Sequence, residues 1–363
     1  MRHGMRQIFC VALVAASLGA QTPSQADVVT NIEQLRAEIE DDLLSSAAML
    51  AAKLSDAVQK QFDASLVRDS ALRVNEVLTW LPDDIESLWV NQAPFTINSD
   101  VSLQLLYYRP IQAYSVDRLM AQNGGSIYAK LNGRTIRLVI AAARKTDRRS
   151  HTIPDAMMAT DVACFYFFTE PIDLPAPDES LAGRPVWRTT AIVHRREFGR
   201  GVPATREDGN WIALARPDLL VLANRRELLS EILQRVAEPP KTRALPGDLP
   251  EWTHVDMSSS FWALRHYTAQ SKPPLEWRRF QAGGILTPDE PSGVTVRFDA
   301  NQERLEILYL STSPMIQTRG PEDAIFAIDQ PQAGVWRLTS DVKKSGPWPI
   351  QFAFTTLGFE EYR

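Results

Sequence analysis

The sequence predicts an α+β fold, mainly antiparallel sheet with helices packed on one face and a helical arm at the N-terminus. Three observations predict it. Residues 28–62 carry an apolar stripe at helical spacing. After Leu81-Pro82 the pattern turns to short apolar or alternating segments. Tight turns join these segments, whereas parallel strands would need long crossovers.

The chain opens on an export signal. Arg2 and Arg6 precede an uncharged run, Ile8 to Leu18, and Ser24 and Ala26 sit at the −3 and −1 places of a small-x-small cleavage site. That run suits a signal core and is shorter than the ~20 residues that span a bilayer as a helix. The mature protein is expected to start at Asp27, outside the cytoplasm, in the periplasm or secreted. No later segment is long and apolar enough to predict a second span.

The arm is expected over 27–80. Its stripe runs from Ile32 to Phe62, with Glu and Asp between the apolar positions. A stripe one face wide belongs to a helix that packs on a body or on a partner. A second helix is expected at about 67–79, using Leu72, Val74, Val77 and Leu78, and Pro82 stops it.

Strands follow. Glu86 to Val90 reads as the first. Ile127–Leu131 and Arg134–Ala143 flank Asn132-Gly133, a strong hairpin signal. Val162 to Phe168 is an apolar strand, and Trp187 to His194 alternates. Trp211–Ala215 and Leu219–Ala223 flank a turn at Arg216-Pro217-Asp218. Asn224 with Glu227 has the spacing of a capping box, opening a helix to about Val236. Pro239, Pro240, Pro246, Gly247 and Pro250 make 239–250 the expected linker.

Beyond the linker, Trp252–Met257 is expected as a strand and Ser259–Gln270 as a helix. Val294–Phe298 and Leu305–Leu310 form a hairpin. Val335–Val342 and Ile350–Thr355 form a last strand pair. Leu81-Pro82 and Leu249-Pro250 thus each open a strand, a helical segment, a hairpin and further strands. Leu106–Arg109 and Leu264–Tyr267 hold comparable helical places. This order suggests an internal duplication of 81–238 and 251–363.

Composition narrows the function. Of 363 residues 44% are apolar, and the net charge is −5 before Arg2 and Arg6 are lost with the signal. An acidic chain is a poor general binder of nucleic acid, which needs cations to displace counterions. Cys10 falls in the signal, so Cys164 is the one mature cysteine and no internal disulfide can form. Its neighbours Val162 to Phe168 predict a buried, inert thiol.

No residue is assigned a catalytic, cofactor-binding or metal-binding role. His151, His194, His254 and His266 stand outside metal-site spacings, and no nucleophile elbow or phosphate loop occurs. His254-Val255-Asp256 followed by Ser258-Ser259-Ser260 is the one local constellation. On a strand His254 and Asp256 would share a face, where a carboxylate could orient an imidazole. The simpler expectation is a solvated strand face followed by a serine cap. His194 to Glu197 reads as a charged strand end. Arg144, Lys145, Arg148 and Arg149 around Asp147 read as a solvated loop.

The expected function is a non-enzymatic, extracytoplasmic binding or scaffolding protein, meeting another protein through the arm. Two alternatives stay open: a carrier or sensor of an apolar ligand, and a hydrolase with a site assembled from distant residues.

Overall fold

In the computed structural model the chain divides into two units, residues 1–65 and 66–363. The structure describes residues 69–97, 127, 130–145, 160–193, 196–197, 200–201, 205–268, 285–286, 288, 291–299, 304–317, 325–345 and 348–357, all in the second unit. The export signal, the stripe of 28–62 and the segment 106–109 lie outside them.

The first part of the fold holds β1 (Ser87–Asn91), β2 (Phe95–Thr96), β3 (Thr135–Lys145), β4 (Thr160–Phe168), β5 (Glu179–Leu181), β6 (Arg184–Val193), the short pair β7 (Arg196–Glu197) and β8 (Arg200–Gly201), β9 (Thr205–Arg216) and β10 (Leu219–Ala223). The second holds β11 (Phe261–His266), β12 (Ile285–Leu286), β13 (Gly293–Asp299), β14 (Arg304–Leu310), β15 (Ile316–Gln317), β16 (Ala327–Gln332) and β17 (Val335–Asp341). Helices are α1 (69–80), α2 (Arg226–Ala237), α3 (Val342–Ser345) and α4 (Trp348–Leu357).

Thirteen strands make one antiparallel sheet in the order β16-β17-β14-β13-β11-β1-β3-β4-β10-β9-β6-β5, with β2 beside β3. The fold is therefore α+β and mainly sheet, with a helix at the N-terminal side of the described residues. The two parts meet at β1 and β11, which pair antiparallel with Trp89 opposite Ala263.

Counted outward from that joint, the two parts match strand for strand. On one side Trp89 pairs Ala141, Ala141 pairs Cys164, Cys164 pairs Leu222 and Leu222 pairs Ile212. On the other Ala263 pairs Val296, Val296 pairs Ile307, Ile307 pairs Leu338 and Leu338 pairs Ile328. So β1, β3, β4, β10 and β9 correspond to β11, β13, β14, β17 and β16. In both parts a hairpin comes first, a second hairpin returns its later strand to pair with it, and a helix follows. The five paired strands share this order, but it is not the order of strand, helical segment and hairpin expected from the sequence, since residues 127 and 130–131 are helical and 252–254 lie in a 3₁₀ turn. Leu264–His266 is not helical; it lies in β11, the counterpart of β1.

One sheet face is covered by α1 and α2. Val74, Val77, Leu78 and Trp80 of α1, with Leu228, Leu229, Ile232 and Leu233 of α2, pack on Ile140, Phe165, Val221 and Leu264. The stripe of α1 is narrower than expected, since Leu72 is 70% exposed. The Leu81 amide closes the last turn on Val77 O at 3.1 Å, and Pro82 prevents another. On the other face Ile350, Phe352, Ala353 and Leu357 of α4 join Val296, Ile307, Leu338 and Phe326. Cys164 is buried, as its aromatic strand predicts.

Four local expectations are corrected. Asn132-Gly133 does not join two strands: residues 130–131 are helical, and Gly133 takes φ +80° before β3. Its N–H donates to Ile97 O, so the left-handed turn links a helix end to a strand. Asn224 does not cap α2; its Oδ1 accepts the Val162 amide at 2.8 Å, and Arg225 is the capping residue, without a side-chain cap. Residues 250–254 form a 3₁₀ turn where a strand was expected. Residues 348–357 are helix α4, because Pro349 suits a first turn and its long apolar run can bury itself as a helix.

Candidate functional site

The candidate site is the sheet face opposite α4 on β13, β14 and β17. Alternation places it: Val294, Val296 and Phe298 point into the core, so Thr295, Arg297 and Asp299 occupy the reverse side. Glu306 on β14 and Arg337 on β17 share that side through the ladder. No α-helix lies over it among the described residues, and the 3₁₀ turn at 250–254 covers only its Gly293 end. Asp256, Ser259, Arg297, Asp299, Arg304, Glu306 and Arg337 line a shallow cleft of about 260 Å³.

The turn at 255–260 borders this cleft and is tied down. Gln92 Nε2 donates to Met257 O at 2.7 Å, and the Gln92 amide donates to Ser260 O at 2.9 Å. Asp256 Oδ1 accepts from the Ser258 amide at 3.0 Å and the Ser258 hydroxyl at 2.6 Å. Its Oδ2 accepts from the Ser259 hydroxyl at 3.1 Å and faces Arg297 at 3.4 Å. Burial alone would raise the Asp256 carboxyl, but the Ser258 and Ser259 hydrogen bonds and the Arg297 charge outweigh it and hold it below its ordinary value.

Arg297 bridges two carboxylates, since its Nε also meets Glu306 Oε1 at 2.9 Å. At the edge Arg337 clasps Asp329 through two nitrogens. That hydrogen-bonded pair lowers Asp329 and raises Arg337. Cations and carboxylates therefore alternate across the face. Such a surface does not select a lone anion or cation; it suits a partner bearing both signs.

A second polar cluster lies at the other end of β11 and β13. Glu251 is fully buried, and its Oε1 is 3.0 Å from His266 Nδ1. Gly293 makes room for it: a Cβ there would overlap the Glu251 carboxylate. Nearby, Glu86 accepts from the Thr268 hydroxyl at 3.0 Å and lies 3.7 Å from Arg265. Arg265 Nη1 and the Tyr267 hydroxyl both donate to Thr356 O, near the C-terminus of α4. The Glu251 carboxylate on Nδ1 fixes the orientation of the His266 ring.

The structure separates the residues that the sequence placed together. Asp256, Ser258 and Ser259 meet in a turn, where a strand end and a serine cap of a helix were expected, while His254 lies in the 3₁₀ segment and makes no hydrogen bond to Asp256. Arg144 is no solvated loop residue. It is 17% exposed and ion-paired with Asp84, Asp161 and Glu231. His194, Lys145's side chain, Arg148 and Arg149 lie outside the described residues. The Glu251–His266 pair escaped sequence reading because 15 residues separate its members and a strand was expected at 252–257. Among the described residues, no three of His, Cys, Asp and Glu gather as a metal site would require. Among them, no helix is long and apolar enough to cross a membrane.

No family model matches the chain, and no curated protein sequence matches it. Among solved structures, crystal form I of TP0453 overlays with a TM-score of 0.41 at 8% identity, covering 74% of this chain and 94% of that one. Crystal form IV gives 0.37 at 10% identity, with coverage of 74% and 94%. An overlay this loose does not bear on the role of the face described above.

Proposed function

We propose that the chain is an exported, non-enzymatic binding or scaffolding protein that meets another protein through the open polar face of β13, β14 and β17. One observation carries this reading. The corresponding face of the first part, on β3, β4 and β10, is apolar and roofed by α1 and α2. In the second part no α-helix roofs it among the described residues, and away from the 3₁₀ turn at its Gly293 end it is built of Arg297, Arg304, Arg337, Asp299 and Glu306. A face with alternating charge is cheap to keep in water and specific when matched. The sequence supports export through its signal-like start, which places the partner outside the cytoplasm.

The test is site-specific photo-cross-linking in the native host. A photoreactive residue at Arg304 or Thr339 is expected to yield one discrete adduct with another protein. The same residue at Glu238, past the end of α2, is the control. Adducts of equal yield and pattern from all three positions, or none from the face, would refute the reading.

A further inference from the structure

Among the described residues β6 has no counterpart in the second part. In the first part β9 is not the edge: β6 lies outside it, with Val186 opposite Ala213, Trp187 opposite Ile212 and Arg188 opposite Trp211. The counterpart of β9 is β16, and among the described residues nothing pairs with its outer side in the sheet. Through the ladder, Ile212 corresponds to Ile328 and Ala213 to Asp329. We propose that β16 receives an extended segment of a partner protein, added antiparallel at 327–329 in the place that β6 fills beside β9. The inference rests on the reading of the chain as a binding protein and names the form its partner takes.

Side chains at the edge agree. Ile212 is 1% exposed beneath Trp187, whereas Ile328 is only half-buried. Ile325 and Trp336 are likewise half-buried beside the core. Trp336 Nε1 is buried without a hydrogen-bond partner among the described residues. A shelf of three partly covered apolar groups is what an unfilled strand place beside β16 presents. The incoming segment therefore carries a large apolar residue opposite Ile328, as β6 carries Trp187.

A second copy of this chain fits the edge less well. Pro331 lacks an N–H, and the register slips between Asp329 and Gln332. These features shorten the pairable stretch and blunt β16 against edge-to-edge self-pairing. Docking a copy's β5 there instead would give a head-to-tail assembly. A short strand anchored by one side chain is the economical occupant, as in other cases of strand addition.

The probe is a synthetic peptide of the chain's own β6 sequence, Arg184–Val193, added to the full-length protein and followed by hydrogen exchange. Saturable slowing of exchange confined to 325–332 is expected. Two versions of the peptide, N-methylated at alternate backbone amides, distinguish an edge from a face. One version is expected to bind at least tenfold more weakly and the other to bind as well as the parent. Ile328→Glu is expected to weaken binding at least tenfold, with an unchanged circular dichroism spectrum. No slowing at 325–332, slowing in β9 alone, or equal effects of both methylated peptides would overturn the proposal. So would protection of 327–329 that grows with protein concentration without peptide, since the occupant would then be a second copy. Cross-linking from Arg304 does not depend on β16, so loss of edge binding leaves the reading of the polar face standing.

Discussion

The two parts of the sheet share their pairing but not their burial. On the α4 side they agree: Val139, Ala141, Cys164, Tyr166 and Leu222 stand where Val294, Val296, Ile307, Tyr309 and Leu338 stand, and all are buried. On the reverse side they diverge. Ile140, Phe165, Val221 and Ala213 correspond to Thr295, Leu308, Arg337 and Asp329. One part is thus a buried layer with apolar groups on both faces, and the other is half-solvated. Strand pairing therefore tolerates wholesale change on one face while the opposite face holds the core.

The largest effect expected from this comparison is at Phe165. It is fully buried, with its ring 6.2 Å from that of Trp80. Phe165→Ala should cost about 3–5 kcal/mol, as large-to-small core changes do. Leu308→Ala, at the matching but half-exposed place, should cost about 1 kcal/mol. Urea unfolding of both variants checks this, and equal losses would erase the distinction between the parts.

Gly293 sharpens the same contrast at the other end of the polar face. Gly293→Ala forces a methyl into the Glu251 carboxylate, whose neighbours leave little room. A loss of about 1–3 kcal/mol is expected from overpacking. The paired change with Glu251→Ala should recover part of it if the clash is the cause. Additive losses in a double-mutant cycle would show that Glu251 and Gly293 act independently.

Asp256 gives the smallest change in stability. Asp256→Asn should cost about 0.5–1 kcal/mol at neutral pH, the range of one partly exposed hydrogen-bonded ion pair. Its folded carboxyl lies below the ordinary 3.8, so its stabilisation is present above that value. The contribution is lost as pH falls through the lowered folded value. Acid titration of stability should therefore be shallower in Asp256→Asn than in the parent below about pH 4. Parallel curves would mean that Asp256 does not hold the turn through its charge.

Much of this contrast could be read in advance, and the failures are instructive. Apolar runs such as Val162–Phe168 and Leu219–Ala223 declared strands, because a layer buried on both faces needs no alternation. Val294–Phe298 and Leu305–Leu310 declared themselves by alternation, because only one of their faces is buried. Phe261–His266 misled: its apolar spacing suits a helix, and only its place between β1 and β13 makes it a strand. Ile350–Thr355 misled in reverse. The closeness of Asp256 to Ser258 and Ser259 was legible because it is local, but not the turn that makes it, since a strand and then a helix were expected there. The charged face was not, because Arg297, Glu306 and Arg337 meet only through the ladder, and nothing in one strand's sequence tells which neighbour it will have.

The joint between β1 and β11 has a consequence for how the chain reaches this state. Residues 87–91 must find residues 261–265, whereas β13 and β14 are joined by a short connection. Closing so long a loop is entropically costly before its contacts form, and distant pairings are slow. The hairpins β9–β10 and β13–β14 are therefore expected to gain protection first in pulse-labelled refolding, and the central joint last. Until then β1 and β11 are two bare edges with Trp89 and Trp262 on them, so refolding yield should fall as protein concentration rises.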